Sequence, residues 1–122
     1  MIAYLLDKPV LELVNKHYWL VVKDIRVAID DDIITVPANF ITDLVSVPRL
    51  PLVYMLVGNI GNSAAVVHDY LYTGVKSRAF ADEVYLALLK SSGVPAWQRW
   101  PMYAAVRALG GRHYTKYNTG EK

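Results

Sequence analysis

The chain contains no cysteine. Disulfides and thiolate metal sites are therefore excluded, and a bound metal would need His, Asp or Glu ligands. Histidine is scarce, with three in 122 residues, so such a site would lean on carboxylates. No run of about 20 apolar residues occurs, which leaves no transmembrane helix. The N-terminal "MIAYLLDKPV" has no basic leader and meets Asp7 and Lys8 too early for a secretory signal. Concentrated charge is missing as well. Thirteen Lys and Arg stand against eleven Asp and Glu, a formal net charge of +2. The cations are scattered, apart from Arg107, Arg112, Lys116 and Lys122 toward the C-terminus. That falls short of the basic face that nucleic-acid binding requires. There is no HExxH, no GxSxG, no internal repeat and no low-complexity tract.

What is present is a core. Apolar residues make up 54% of the chain, and its length fits a single domain over 1–122. Nine tyrosines and three tryptophans are many for this length. They suit interfaces, being apolar at one end and hydrogen-bonding at the other, and they suit core packing equally well.

The first half reads as strands. "HYWLVVKDIRVAID" is rich in β-branched and aromatic residues. Ile25, Val27 and Ile29 alternate with Arg26. "DDD" at 30–32 predicts a turn and "IITV" at 33–36 a returning strand, which together make a hairpin. Pro37 ends that strand. A short strand follows near Phe40 and Ile41, then an extended loop through Pro48 and Pro51.

The second half reads as helices. Asn62 or Ser63 caps a helix running to about Tyr72, stopped by Gly74. Ser77 caps the next, from about Arg78 to Ser91, ended by Gly93 in the left-handed conformation. Pro95 opens a third that runs to about Leu109, with Pro101 placed to kink or split it. The polar tail "HYTKYNTGEK" is expected to fray. The fold class is α+β: a small antiparallel sheet from the N-terminal half packed with about three helices from the C-terminal half.

Within "AAVVHDYLYTG", residues 64–74, an apolar run is broken by His68 and Asp69. Helical spacing sets Tyr72 between their directions, so the three form one polar arc on a helix that is otherwise apolar all round. On the next helix, Asp82 shares a face with Tyr85, Leu86 and Leu89, while Glu83 and Lys90 take the solvent side. Asp82 therefore turns inward and needs a donor or a cation: His68, Arg78, Arg107 or a metal. Asp43 and Ser46 sit in the loop "FITDLVSVPR", where Asp and Ser commonly fix turns.

One His with two or three Asp can hold a divalent cation, the one cofactor this pattern suggests, and could activate water. In that reading Asp43, His68 and Asp82 bind the metal. Asp69 orients His68 or acts as base, and Tyr72 or Arg78 stabilises developing negative charge. Ser46 is a weak nucleophile candidate, because its flanks do not resemble a strained nucleophile turn. Three readings of the cluster stay open: a structural polar network, a metal or acid–base site, or a surface completed by a partner chain. The glycines of "VGNIGNS" precede a helix and read as a loop and cap, with anion binding the alternative.

The same residues carry a family resemblance. "VPANFITDLVSVPRLP", "AAVVHDYLYTG", "SRAFADEVYLALLKSSGVP" and "PMYAAVRALGG" resemble the successive motifs F-x-T-D-x-x-S-x-P, A-x-x-H-D-x-L-Y, R-x-x-A-D and M-Y-x-x-V-R-x-x-G. These belong to a family of small tailed-phage and prophage proteins, domain of unknown function 1353. The resemblance covers about residues 36–111 and falls on Asp43, His68, Asp69, Arg78 and Asp82. It implies a bacteriophage or prophage origin and a place in particle assembly, tail or lysis. The expected function is that of an accessory or virion-associated protein that binds other phage proteins or itself, in the virion or the host cytoplasm. The alternatives are a metal-dependent hydrolase of peptidoglycan amides or esters, and a host-takeover or anti-defence protein.

Overall fold

A hairpin forms where the sequence alternates most clearly. In the computed structural model, which describes residues 1–14, 18–42, 63–111 and 114, strands Ile25–Ile29 and Asp32–Val36 pair antiparallel with Ile29 opposite Asp32. The two-residue loop between them places Asp30 at φ 51°, a left-handed conformation that Asp tolerates. Ile25, Val27 and Ile29 are buried and Arg26 is exposed, as the alternation requires.

Two small antiparallel sheets of three strands are present, where the sequence suggested one. In chain order the strands are β1 (Ala3–Leu5), β2 (Leu11–Leu13), β3 (Trp19–Val21), β4 (Ile25–Ile29), β5 (Asp32–Val36) and β6 (Ile41–Thr42). One sheet has the order β1-β4-β5 and the other β2-β3-β6. The strand-like stretch from Trp19 to Ile29 is divided between them, β3 in one and β4 in the other. Asp24 sits at the break, and its Oδ1 accepts the Ala38 N–H at 2.7 Å. That bond fixes the corner where the chain leaves one sheet for the other.

The helices follow. The described part of α1 covers residues 63–70 and widens into a π-helical turn, Leu71–Val75. Gly74 within that turn has φ 101°, a conformation that favours glycine, so the chain turns where the sequence predicts a stop. Residues 64–69 are all buried, the polar His68 and Asp69 among them. Helix α2 spans Arg78–Ser91, and the Ser77 side chain accepts the Phe80 N–H at its start. Gly93 follows its end at φ 91°.

Helix α3 spans Ala96–Leu109 without a break. Pro95 is its N-cap, one position before the first helical residue predicted for it. Pro101 does not split the helix. It stands on the exposed side, and what it removes is the bond to the Trp97 carbonyl, a loss that water can replace there. Helix α2 packs against β1, α3 and the π-helical turn. The core gathers Val21, Ile25, Val27 and Val36 from the sheets with Val66, Leu71, Val84, Leu88, Leu89 and Val106 from the helices. Each such side chain contributes about 1.5–3 kcal/mol by leaving water.

Candidate functional site

Asp82 is the hub of the buried polar cluster. Helix α2 turns it inward with Ala81, Tyr85 and Leu89, all fully buried, while Glu83 and Lys90 remain exposed. Oδ1 accepts from His68 Nε2 at 2.6 Å and from the Tyr72 hydroxyl at 2.5 Å. Oδ2 accepts from Arg107 Nη1 at 2.8 Å. The carboxylate thus ties α1, α2 and α3 together. Of the partners anticipated for an inward Asp82, His68 and Arg107 bond it directly and Arg78 Nε lies at ion-pair distance, while Tyr72 was not among those anticipated.

The chemistry of the hub is set by this enclosure. Burial pushes the Asp82 carboxyl up. The hydrogen bonds from His68 and Tyr72, the charge of His68 and the bond from Arg107 outweigh it and hold the carboxyl below its ordinary range. Asp82 therefore accepts, and Nε2 of His68 carries the proton it donates. Burial, then the bond to Asp82, pushes the Tyr72 phenol well up, so Tyr72 keeps its proton. A carboxylate holding an imidazole in one tautomer is also how hydrolases position a general base. Here the imidazole is 0% exposed, which denies a substrate direct access to it.

Asp69 leaves the arc it was expected to share. Its Oδ2 accepts from the Thr42 hydroxyl at 2.6 Å, and both residues are buried. Neighbouring helical directions explain the division: His68 and Tyr72 face α2, and Asp69 faces β6. Arg78 is engaged elsewhere too. Its Nη2 donates to the carbonyls of Val106 and Arg107 at the C-terminal turn of α3, where a cation suits the helix dipole. Its Nε lies 3.9 Å from Asp82. Among the described residues no group of three or more His, Asp or Glu is arranged to hold a metal. Asp43 and Ser46 lie outside the described residues, as do His17, Arg49, His113 and the glycines of "VGNIGNS".

Some contributors were not singled out from sequence. Gly110 is closed in by Tyr72: a Cβ there would come within 2.5 Å of both the Tyr72 hydroxyl and the Val106 carbonyl. Tyr114 packs edge-on against Tyr72 with centroids 5.3 Å apart, and its hydroxyl donates to the Lys76 carbonyl. Tyr85 lies beside His68, centroids 5.1 Å apart. Among the described residues its buried hydroxyl has no hydrogen-bond partner, and burial pushes that phenol well up. The glycine ending the last motif was the available signal for Gly110. Thr42 had the same kind of signal, as the threonine of F-x-T-D, whereas Tyr114 carried none, because it acts through long-range contacts.

A shallow groove of about 390 Å³ lies away from the cluster, between Leu86, Ala87 and Lys90 of α2 and Arg99, Trp100 and Tyr103 of α3. None of its lining residues belongs to the hub.

An α+β chain with an aspartate hub joining three helices is the class the geometry defines. The family model described as "Protein of unknown function (DUF1353)" matches residues 19–106, well over half of the chain, and the protein belongs to that family. The match begins at Trp19 and so takes in β3, β4 and β5, which the motifs alone left outside. Arg107 and Gly110 fall just beyond it. Comparison with curated proteins and with solved structures finds no match.

Proposed function

We propose that this protein is a small accessory or virion-associated component of a tailed phage or prophage, acting by protein–protein binding during particle assembly. The phage context comes from the motif resemblance. The observation that carries the binding reading is the solvent side of α3. Trp97 is 67% exposed and Trp100 52%, and they share that side with the exposed Pro101, Ala104 and Ala108. No charged residue stands among these five. A helix face of this composition marks an interaction site, and Trp is prominent among residues that dominate binding energy. In this reading Asp82 and its partners brace the helix that presents the face.

The rival reading is hydrolysis at a divalent cation held by Asp43, His68 and Asp82. Against it, both Asp82 oxygens already accept from the chain's own donors, which a cation would have to displace. Elemental analysis separates the two. About one equivalent of metal that is lost in Asp82→Ala would replace the binding reading with the hydrolytic one.

The functional test is complementation in the genome that encodes the protein. A folded Trp97→Ser/Trp100→Ser variant is expected to fail in restoring particle yield, while folded His68→Asn and Asp69→Asn variants restore it. The reverse pattern would overturn the proposal.

A further inference from the structure

Two arginines share one carboxylate oxygen. Arg107 Nη1 donates to Asp82 Oδ2 at 2.8 Å, and Arg78 Nε lies 3.9 Å from the same atom. Arginine stays protonated in proteins, so two positive charges face one negative charge. The C-terminus of α3, whose carbonyls accept from Arg78 Nη2, offsets about half a charge more. An excess remains, and among the described residues of the helices nothing removes it. Residues 63–111 hold three acids, Asp69, Asp82 and Glu83. Asp69 is bound to Thr42, and Glu83 lines the groove between α2 and α3.

Donors are in surplus as well. The Arg78 Nε–H is buried and has no acceptor among the described residues, which is costly for a charged group. Arg107 spends one N–H on Asp82 and keeps the rest of its fork. The two side chains are 26% and 38% exposed, so a solute reaches both. Gly111 brings no side chain to this place. A Cβ there would lie 3.6 Å from Arg78 Cζ and 3.8 Å from Nη1, and a larger residue would cover the guanidinium.

The surplus suits an oxyanion with more than two oxygens. A carboxylate pairs with one fork, whereas a phosphate group offers three acceptors and a larger negative charge. We propose that Arg78 and Arg107, where α2 meets the end of α3, form a binding site for the phosphate group of a small solute. The site is separate from the exposed face of α3 and gives the hub a ligand.

The test is isothermal titration calorimetry at fixed pH and ionic strength. Sodium phosphate, adenosine monophosphate and sodium acetate are the probes, with circular dichroism as the check on folding. Phosphate is expected to bind saturably at one site, and acetate far more weakly. Tighter binding of adenosine monophosphate than of phosphate would assign the site to phosphate esters, and the reverse to the free ion; both support it. Arg107→Gln is expected to weaken phosphate about tenfold, the loss of a charge-assisted bond. Should that variant not fold, Arg107→Lys keeps the charge beside Asp82 without the fork and is expected to weaken binding in the same direction. Arg99→Gln, whose side chain turns to the Val94 carbonyl at the other end of α3, is expected to bind as the wild type does. Asp82→Asn removes the competing negative charge and is expected to bind phosphate more tightly, a gain that a purely structural role of the arginines would not give. The proposal is overturned if neither phosphate nor adenosine monophosphate binds saturably, if acetate binds as tightly, or if the Arg107 variants leave the affinity unchanged. A folded Asp82→Asn that binds no tighter overturns it too.

Discussion

His68 on α1 donates Nε2–H to Asp82 on α2 at 2.6 Å, with both side chains fully buried. Arg107 reaches the other carboxylate oxygen from α3 at 2.8 Å. Removing one member of such a pair leaves the rest charged or polar in the core. Asp82→Ala is therefore expected to destabilise the fold by about 3–5 kcal/mol, the cost of an orphaned buried partner. Asp82→Asn keeps the shape and one acceptor and is expected to lose less. Urea unfolding of the two variants measures the difference. Equal stability of Asp82→Ala and wild type would mean that the hub does not brace the helices.

The same carboxylate gives the fold an acid limit. Its pKa is held below that of the unfolded chain, so the stabilisation is complete above the unfolded value, about 3.9. It is lost as pH falls through the lower, folded value, because protonating Asp82 removes its charge from Arg107 and His68. Asp7, lowered to about 2 by its hydrogen bonds from Arg26, adds in the same direction. That pair is exposed, with Arg26 at 55%, and solvent screens it. Urea midpoints measured downward from neutral pH are expected to fall steeply in acid for the wild type. The fall should be shallower in Asp82→Asn and nearly unchanged in Asp7→Asn. A larger effect from Asp7→Asn would locate the acid sensitivity on the surface instead.

Gly110 and Tyr72 form a second coupled pair. A Cβ at Gly110 would meet the Tyr72 hydroxyl and the Val106 carbonyl, both at 2.5 Å, and the backbone oxygen has little freedom to withdraw. Gly110→Ala is expected to destabilise by about 1–3 kcal/mol, as overpacking does. In a Tyr72→Phe background the hydroxyl is gone and one of the two clashes with it. The penalty of Gly110→Ala should then be smaller, a non-additivity that a double-mutant cycle reads directly. Additive effects would show that the Val106 carbonyl alone sets the requirement for glycine.

Legibility in the sequence followed the range of the interactions. Helix α2, with Ser77 before it and Gly93 after it, was readable because caps and periodicity are local. The β4–β5 hairpin was readable for the same reason. Strands β1 and β2 were not. Each has three residues, and what defines them is pairing with distant partners, Ala3 with Ile29 and Leu11 with Val21. At the site, the helical face of Asp82 showed that it turns inward and narrowed its partners to a set containing His68 and Arg107. Asp69 turned instead to Thr42, and Arg78 to the end of α3, because only the packed arrangement decides which neighbour each direction meets. The exposed face of α3, from Trp97 to Ala108, was not singled out in the sequence. It became visible once Gln98, Met102 and Val106 were seen to take the buried side.

Tyr72 and Tyr85 offer a contrast within one cluster. Both are fully buried and both lie against His68. The Tyr72 hydroxyl donates to a charged acceptor, Asp82, whereas the Tyr85 hydroxyl has no partner among the described residues. Tyr72→Phe is expected to destabilise by about 1.5–3 kcal/mol, the range for a hydrogen bond to a charged group. Tyr85→Phe removes a buried hydroxyl that gains nothing from its surroundings, so it is expected to be neutral or to stabilise, by up to about 1–3 kcal/mol. Thermal or urea unfolding of the two single variants decides this without any knowledge of activity. A large loss in Tyr85→Phe would mean that its hydroxyl serves a partner in solution, a bound water or a ligand atom beside His68. The buried cluster, not the α3 face, would then be the first place to look for chemistry.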